Sequence, residues 1–165
     1  MITAYLGLGS NLGNRLAFLR GGRDSLLNRF AIILRRASGV YETEAVGGPA
    51  DSPSFLNAVL EIDTALAPGD LLAACLAVEE EFGRTRSTEW APRTLDIDLL
   101  LYGDTVIDES GLQVPHPRLH ERAFVLAPLS EIGPDLLHPR LGKTIRALAD
   151  ELRLPAGLAP LRASW

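Results

Sequence analysis

Asp96 and Asp98 stand one residue apart in the run Leu95-Asp96-Ile97-Asp98-Leu99. On an extended strand alternate residues share a face. The two carboxylates therefore project side by side, while Leu95, Ile97 and Leu99 turn the other way into a core. Two carboxylates held this close repel each other unless a cation compensates or one takes up a proton. Magnesium, a hard cation that binds a few carboxylates together with phosphate oxygens, suits such a pair. The same pair could serve two metals bridged by a nucleotide. An exposed polar strand face would give the same spacing, so the neighbourhood has to decide. Arg84, Arg86 and Arg93 precede the pair in a chain whose net charge is -5. Guanidinium groups bind phosphate bidentately and offset the charge that develops in phosphoryl transfer. The segment 84–92 has no regular apolar period and reads as a loop able to close over a nucleotide.

His116 lies between Pro115 and Pro117, so its backbone is constrained and its imidazole is expected to be displayed. It could donate to a phosphate oxygen or assist proton transfer. Phenylalanine is usually core, but aromatics make up only 6% of this chain, and their placement matters. Phe55 stands two residues before Asn57, and Phe124 follows Arg122. Rings on opposite walls of a cleft would clamp a flat heterocycle, with Asn57 reading its donor and acceptor edge. His120 and His138 read as surface or structural, and no Cys/His spacing suits zinc.

Two phosphate-binding signatures fail. In Gly7-Leu8-Gly9-Ser10-Asn11-Leu12-Gly13 the third glycine comes one residue late for the dinucleotide fingerprint. Gly142-Lys143-Thr144 resembles the end of a P-loop, but Leu137 stands where the first glycine belongs.

The elements that must position these residues follow from periodicity. Residues 2–8 read as a first strand, and the apolar spacing over 14–30 as a helix weakened by Gly21-Gly22. Residues 31–41 read as a second strand. A punctuated loop follows at 47–53, and a third strand at 55–62 carries Phe55, Asn57, Val59 and Glu61 on one side. Pro68 opens a helix to about Phe82, capped by Gly83, and residues 95–102 form a fourth strand. A small hairpin (105–114) and short helices near 124–131 and 143–152 complete the chain. The order strand-helix-strand-strand-helix-strand predicts an α+β, ferredoxin-like βαββαβ core with an antiparallel sheet and a C-terminal extension. A single domain over residues 1–165 is expected.

Composition narrows the function classes. Hydrophobic residues make up 47% and charged residues 22%, an ordinary globular balance. The acidic net charge argues against general binding to nucleic acid or anionic membranes. The lone Cys75 lies in an apolar run, fits buried packing, and agrees with a reducing compartment. No basic region precedes a long apolar stretch at the N-terminus, and no run approaches the roughly 18 apolar residues of a membrane helix. A cytoplasmic protein is expected.

The residues also resemble a known family. Gly7–Asn14, Tyr41-Glu42-Thr43-Glu44, Phe55–Val59, Gly83–Arg86, Trp90–Asp98, Pro115–Arg118 and Arg122–Leu126, in this order, resemble the 6-hydroxymethyl-7,8-dihydropterin pyrophosphokinases over nearly the whole chain. The resemblance implies transfer of the β,γ-diphosphate of ATP to the hydroxymethyl oxygen of the pterin, in folate biosynthesis, with release of AMP. It implies two Mg2+ ions held by Asp96 and Asp98, and phosphate contacts from Arg84 and Arg93. Further ATP contacts fall to Arg86, His116 and Arg122. Phe55 and Phe124 would sandwich the pterin, Asn57 would read it, and Thr43 and Val46 would offer backbone partners. ATP and the pterin are the expected partners of a monomer that binds no nucleic acid and no membrane. Pro117, Glu44 and Leu76 depart from residues common in the family (a tyrosine, a proline and a glutamine), and the segment between Arg84 and Trp90 is one residue shorter than in some relatives.

Two other classes remain open from the residues alone. A binding module or sensor on this fold would tolerate loss of the aspartates, and a metal-dependent phosphohydrolase would need no pterin.

Overall fold

A computed structural model describes residues 1–44, 53–83 and 94–165. The sequence order is β1 (Ile2–Ser10), α1 (Arg15–Arg29), β2 (Ile32–Ala37), β3 (Tyr41–Thr43), β4 (Phe55–Thr64), α2 (Pro68–Glu81) and β5 (Asp96–Tyr102). Then come the hairpin β6 (Ile107–Glu109) and β7 (Leu112–Val114), a 3-10 turn at Leu119–Glu121, α3 (Ala123–Ile132) and α4 (Ile145–Leu152). The main sheet runs β2-β4-β1-β5, all neighbours antiparallel, with β3 also paired to β4. This is the expected ferredoxin-like arrangement.

The expected second strand is broken in two. Ser38 leaves the ladder: its N–H donates to Val59 O at 2.9 Å, and its hydroxyl accepts the Val59 N–H at 2.8 Å. β2 and β3 therefore meet β4 on either side of a Ser38-Gly39-Val40 link. The first strand extends to Ser10 and the third to Thr64, since each remains paired along its length.

Helix ends follow local chemistry. The Asn14 side chain accepts the Ala17 N–H at the start of α1, and the Thr144 hydroxyl accepts the Ala147 N–H at the start of α4. Pro68 occupies the first turn of α2, where its missing N–H costs nothing, and Gly83 beyond it adopts φ +82°.

Each face of the sheet carries its own core. Leu6, Leu8, Leu56, Leu60, Ile62, Ile97 and Leu99 pack with Leu19, Leu26, Leu71, Cys75 and Val78 of α1 and α2. On the opposite face Tyr5, Val59, Leu100 and Leu101 pack with Val125, Leu126 and Leu129 of α3 and with Leu148 of α4. Among the described residues no helix is long and apolar enough to cross a membrane.

Candidate active site

The register of the three central strands builds the site. Asn57, Gly9 and Asp96 lie in one row across β4, β1 and β5, and Val59, Gly7 and Asp98 lie in the next. Directly opposed residues share a face, here the face away from α1 and α2. One half of that face is filled by Tyr5, Val59 and Leu100 beneath α3. In the other half the middle strand offers only glycines. A Cβ on Gly9 would lie 2.9 Å from Asn57 Oδ1, and one on Gly7 would lie 3.4 Å from Leu100. Between Phe55 and Asn57 on β4 and the two carboxylates on β5, the middle strand therefore contributes only a backbone floor, with the Asn57 amide and the Leu100 side chain lying close against it.

Asp96 and Asp98 are both half-buried on this face, while Leu95, Ile97 and Leu99 are buried on the other, as the period of two requires. The Arg122 guanidinium reaches to 3.9 Å from Asp98 Oδ2 and lies 5.5 Å above the Phe124 ring. Arg122 precedes α3 directly, so the first turn of that helix places a cation and a half-buried aromatic ring beside the aspartates.

His116 differs from expectation. It is half-buried, not displayed. Its N–H donates to Leu100 O at 2.9 Å, just after the cis Val114–Pro115 bond. Its Nδ1 accepts the Arg118 N–H at 3.2 Å, so the neutral ring carries its proton on Nε2. Burial foremost, and the Arg122 charge next, lower its pKa to about 4 against the pull of Asp96. At neutral pH the side chain is a hydrogen-bond donor, and it holds no proton to release as imidazolium.

β5 is an edge strand, and a groove of about 290 Å³ runs along its free side. Leu72, Leu76 and Glu79 of α2 form one bank, Gly111–Gln113 and His116 the other, and Asp98 closes one end. Glu79 is 1% exposed and accepts the Ile97 N–H at 2.7 Å. A buried carboxylate thus fixes the peptide between the two aspartates. Sequence reasoning missed it because Glu79-Glu80-Glu81 looks like a solvated helix end. The available signal was its place one turn after Cys75, on the buried stripe of α2.

On the other wall Asn57 Nδ2 donates to Thr43 Oγ1 at 2.9 Å, and Thr43 pairs with Phe55 in the ladder. Arg15 donates to Glu42 and to Ser54 O, and Asn11 Nδ2 donates to Pro53 O at 3.3 Å. These bonds hold the two ends from which the segment 45–52 departs. The structure brings Asp96, Asp98, His116, Arg122 and Phe124 together on one side, and Thr43, Phe55 and Asn57 on the other. Arg84, Arg86, Arg93 and Val46 lie outside the described residues.

A family model described as 7,8-dihydro-6-hydroxymethylpterin-pyrophosphokinase (HPPK) matches residues 5–134. The chain belongs to this family. Similar HPPK relatives carry the name 2-amino-4-hydroxy-6-hydroxymethyldihydropteridine pyrophosphokinase. The Bacillus subtilis protein is 46% identical over 129 residues, which cover 78% of this chain and 77% of the relative. The Methylorubrum extorquens protein is 42% identical over 158 residues, covering 96% and 98%. The Synechocystis protein is 42% identical over 149 residues, covering 90% and 75%. Among solved structures, wild-type HPPK-DHPS of Plasmodium falciparum superposes with a TM-score of 0.72 over 91% of this chain at 15% identity. The match spans 44% of that structure's chain, and the likeness is one of fold.

Proposed function

We propose that this HPPK family member transfers the β,γ-diphosphate of ATP, as one unit, to the hydroxymethyl oxygen of 6-hydroxymethyl-7,8-dihydropterin in folate biosynthesis. AMP is the second product. One observation carries the reading: Asp96 and Asp98 stand on one strand between two differently built recesses. On one side, across the glycine floor, lie Phe55, Asn57 and Thr43. On the other lies the groove bounded by Leu72, Leu76 and His116.

The pterin fits the first recess. Phe55 and Phe124 supply flat apolar surface for its ring, Asn57 reads its edge, and Thr43 and Val46 add backbone partners. ATP fits the second, with its base in the apolar groove and its phosphates at the aspartates. Arg122 and His116 Nε2–H face those phosphates, and Arg84, Arg86 and Arg93 are assigned to them as well.

The donor set suits two Mg2+ ions. Two carboxylates on one face, with room left for phosphate oxygens and water, match a cation that keeps several such ligands. Bound there, magnesium neutralises charge on the phosphates and polarises the acceptor alcohol. The chain's own residues do the rest. They bring the alcohol oxygen into line with the β-phosphorus, so that the new O–Pβ bond forms as the bond from Pβ to the α-phosphate oxygen breaks. The arginines stabilise the spreading charge, and the alcohol proton leaves to solvent. The enzyme is assigned as a cytoplasmic monomer, one domain over residues 1–165, without nucleic-acid or membrane partners.

The test is AMP release from ATP with magnesium, in the presence and absence of the hydroxymethyl-dihydropterin. Pterin-dependent AMP that stops on addition of EDTA is expected. ADP or free phosphate without need of pterin would replace this reading with that of a hydrolase, and absence of turnover with that of a binding module.

A further inference from the structure

The Ser38-Gly39-Val40 link is the hinge between β2 and β3, and it is gripped from three directions. From β4, Val59 exchanges hydrogen bonds with Ser38, which is 3% exposed. From α3, the Glu131 carboxylate accepts the Gly39 N–H at 2.6 Å. From the segment 155–165, the Leu161 N–H donates to Val40 O at 2.7 Å, and Trp165 Nε1–H donates to Ser38 O at 2.7 Å.

That segment is itself anchored. Arg20 of α1 donates to Ser164 O, the Arg23 guanidinium lies 5.5 Å over the Trp165 ring, and Trp165 packs against the core beneath α1. The fit at Gly39 is close: a Cβ there would stand 2.4 Å from Pro160 Cβ, a distance that real contacts never show. Glycine at 39 is thus what lets the segment lie down.

The link leads straight into Tyr41–Thr43. Thr43 Oγ1 accepts from Asn57, and Thr43 is followed at once by the residues that enter the segment 45–52. β3 has only three residues and, among the described residues, pairs on one side alone, with β4. So short a strand has little ladder energy of its own to fix where it sits. We propose that Trp165 and Leu161 are positioning residues for the acceptor substrate: they fix the Ser38–Val40 link, and through it the Thr43–Asn57 pair that reads the pterin. The nucleotide groove lies on the far edge of the sheet, against β5, and does not share this support. The inference rests on the assignment of Thr43 and Asn57 to the pterin.

The experiment measures KM for the pterin, KM for ATP, kcat and thermal melting in four variants of the full chain: Trp165→Ala, Trp165→Phe, Gly39→Ala and Asn57→Ala. Trp165→Ala is expected to raise the pterin KM about fivefold, the effect of losing one hydrogen bond of ordinary strength. The ATP KM should stay unchanged. Trp165→Phe, which keeps a packed ring and loses only the N–H, should fall between wild type and Trp165→Ala. Gly39→Ala, which displaces Pro160 without touching Trp165, should raise the pterin KM in the same selective way. A lowered melting temperature with both KM values unchanged would overturn the inference, as would equal rises in both. If Trp165→Ala shows no cooperative melt, Gly39→Ala decides by the same criteria. Asn57→Ala separates the two levels of argument. An unchanged pterin KM in that variant would remove the pterin assignment itself, whereas a raised one beside unaffected Trp165 and Gly39 variants would remove only the positioning role.

Discussion

The carboxylate of Glu79 on α2 accepts the backbone N–H of Ile97 at 2.7 Å, at the peptide that separates Asp96 from Asp98. Edge strands leave such N–H groups unpaired. Here a side chain that is itself 1% exposed supplies the partner, so the spacing of the two aspartates is set from behind.

Replacing Glu79 tests this support. Glu79→Ala orphans a buried N–H, which costs on the order of 1–3 kcal/mol. Glu79→Gln keeps an oxygen acceptor of the same shape. Denaturant unfolding should therefore show a clear loss for alanine and a smaller one for glutamine. A magnesium titration of activity should need more metal in the alanine variant, by about 10-fold, in line with other residues that orient ligands without touching the ion.

Gly9→Ala probes the glycine floor of β1. The added methyl would meet Asn57 Oδ1 at 2.9 Å, so Asn57 has to move. The pterin KM is expected to rise while the ATP KM holds, and melting should show a loss of about 1–3 kcal/mol from overpacking. Equal effects on both substrates would argue against assigning this glycine floor to the pterin.

Asp98→Asn separates chemistry from stability. The Arg122 guanidinium stands 3.9 Å away with both side chains partly exposed, an arrangement that contributes at most about 1 kcal/mol. The fold should survive with little change in melting, while turnover falls by about 100-fold or more, since the loss strikes a residue proposed to ligate the metal. Near-normal turnover would remove the aspartate pair from the mechanism.

His138 gives the stability a pH dependence. Its Nδ1 accepts the N–H groups of Arg140 and Leu141 at 3.2 and 3.1 Å, a role only the unprotonated nitrogen can fill. Burial, and then the nearby His120, hold its pKa below the ordinary 6.5. Protonation thus favours the unfolded chain. The contribution is fully present above pH 6.5 and is lost as pH falls through the folded-state value. Melting temperature should decline as the pH falls from 6.5 towards that value, and this contribution levels off below it. His138→Asn, which retains an acceptor oxygen but cannot titrate, should flatten the decline.

What the sequence disclosed, and what it hid, follows the range of the interactions involved. Period-two spacing placed Asp96 and Asp98 on one face with Ile97 behind them, because that rule acts within a single strand. Pro68 and Gly83 marked the ends of α2 through backbone constraints that act within a single turn. The break between β2 and β3 had a sign in Ser38-Gly39, a dipeptide that marks turns, but the apolar residues on either side of it read as one strand over 31–41, and the bonds that fix the break come from Val59, Glu131 and Trp165. Gly7 and Gly9 invited comparison with a dinucleotide turn, yet they serve by being small. That becomes visible only once the register sets Gly9 between Asn57 and Asp96. His116 was expected to be displayed because flanking prolines constrain its backbone, but the Leu100 and Arg118 bonds tuck it halfway in.

Among the described residues, the central sheet has a helical layer over both faces at one end and over only one face at the end where the glycines lie. Amide hydrogens of Leu60 and Ile62 should accordingly exchange with solvent deuterium through near-global unfolding, and those of Phe55 and Asn57 through smaller openings. The strand that carries Phe55 and Asn57 is thus one continuous ladder with graded protection. Substrates that fill the open end would supply the missing second layer and slow exchange there first.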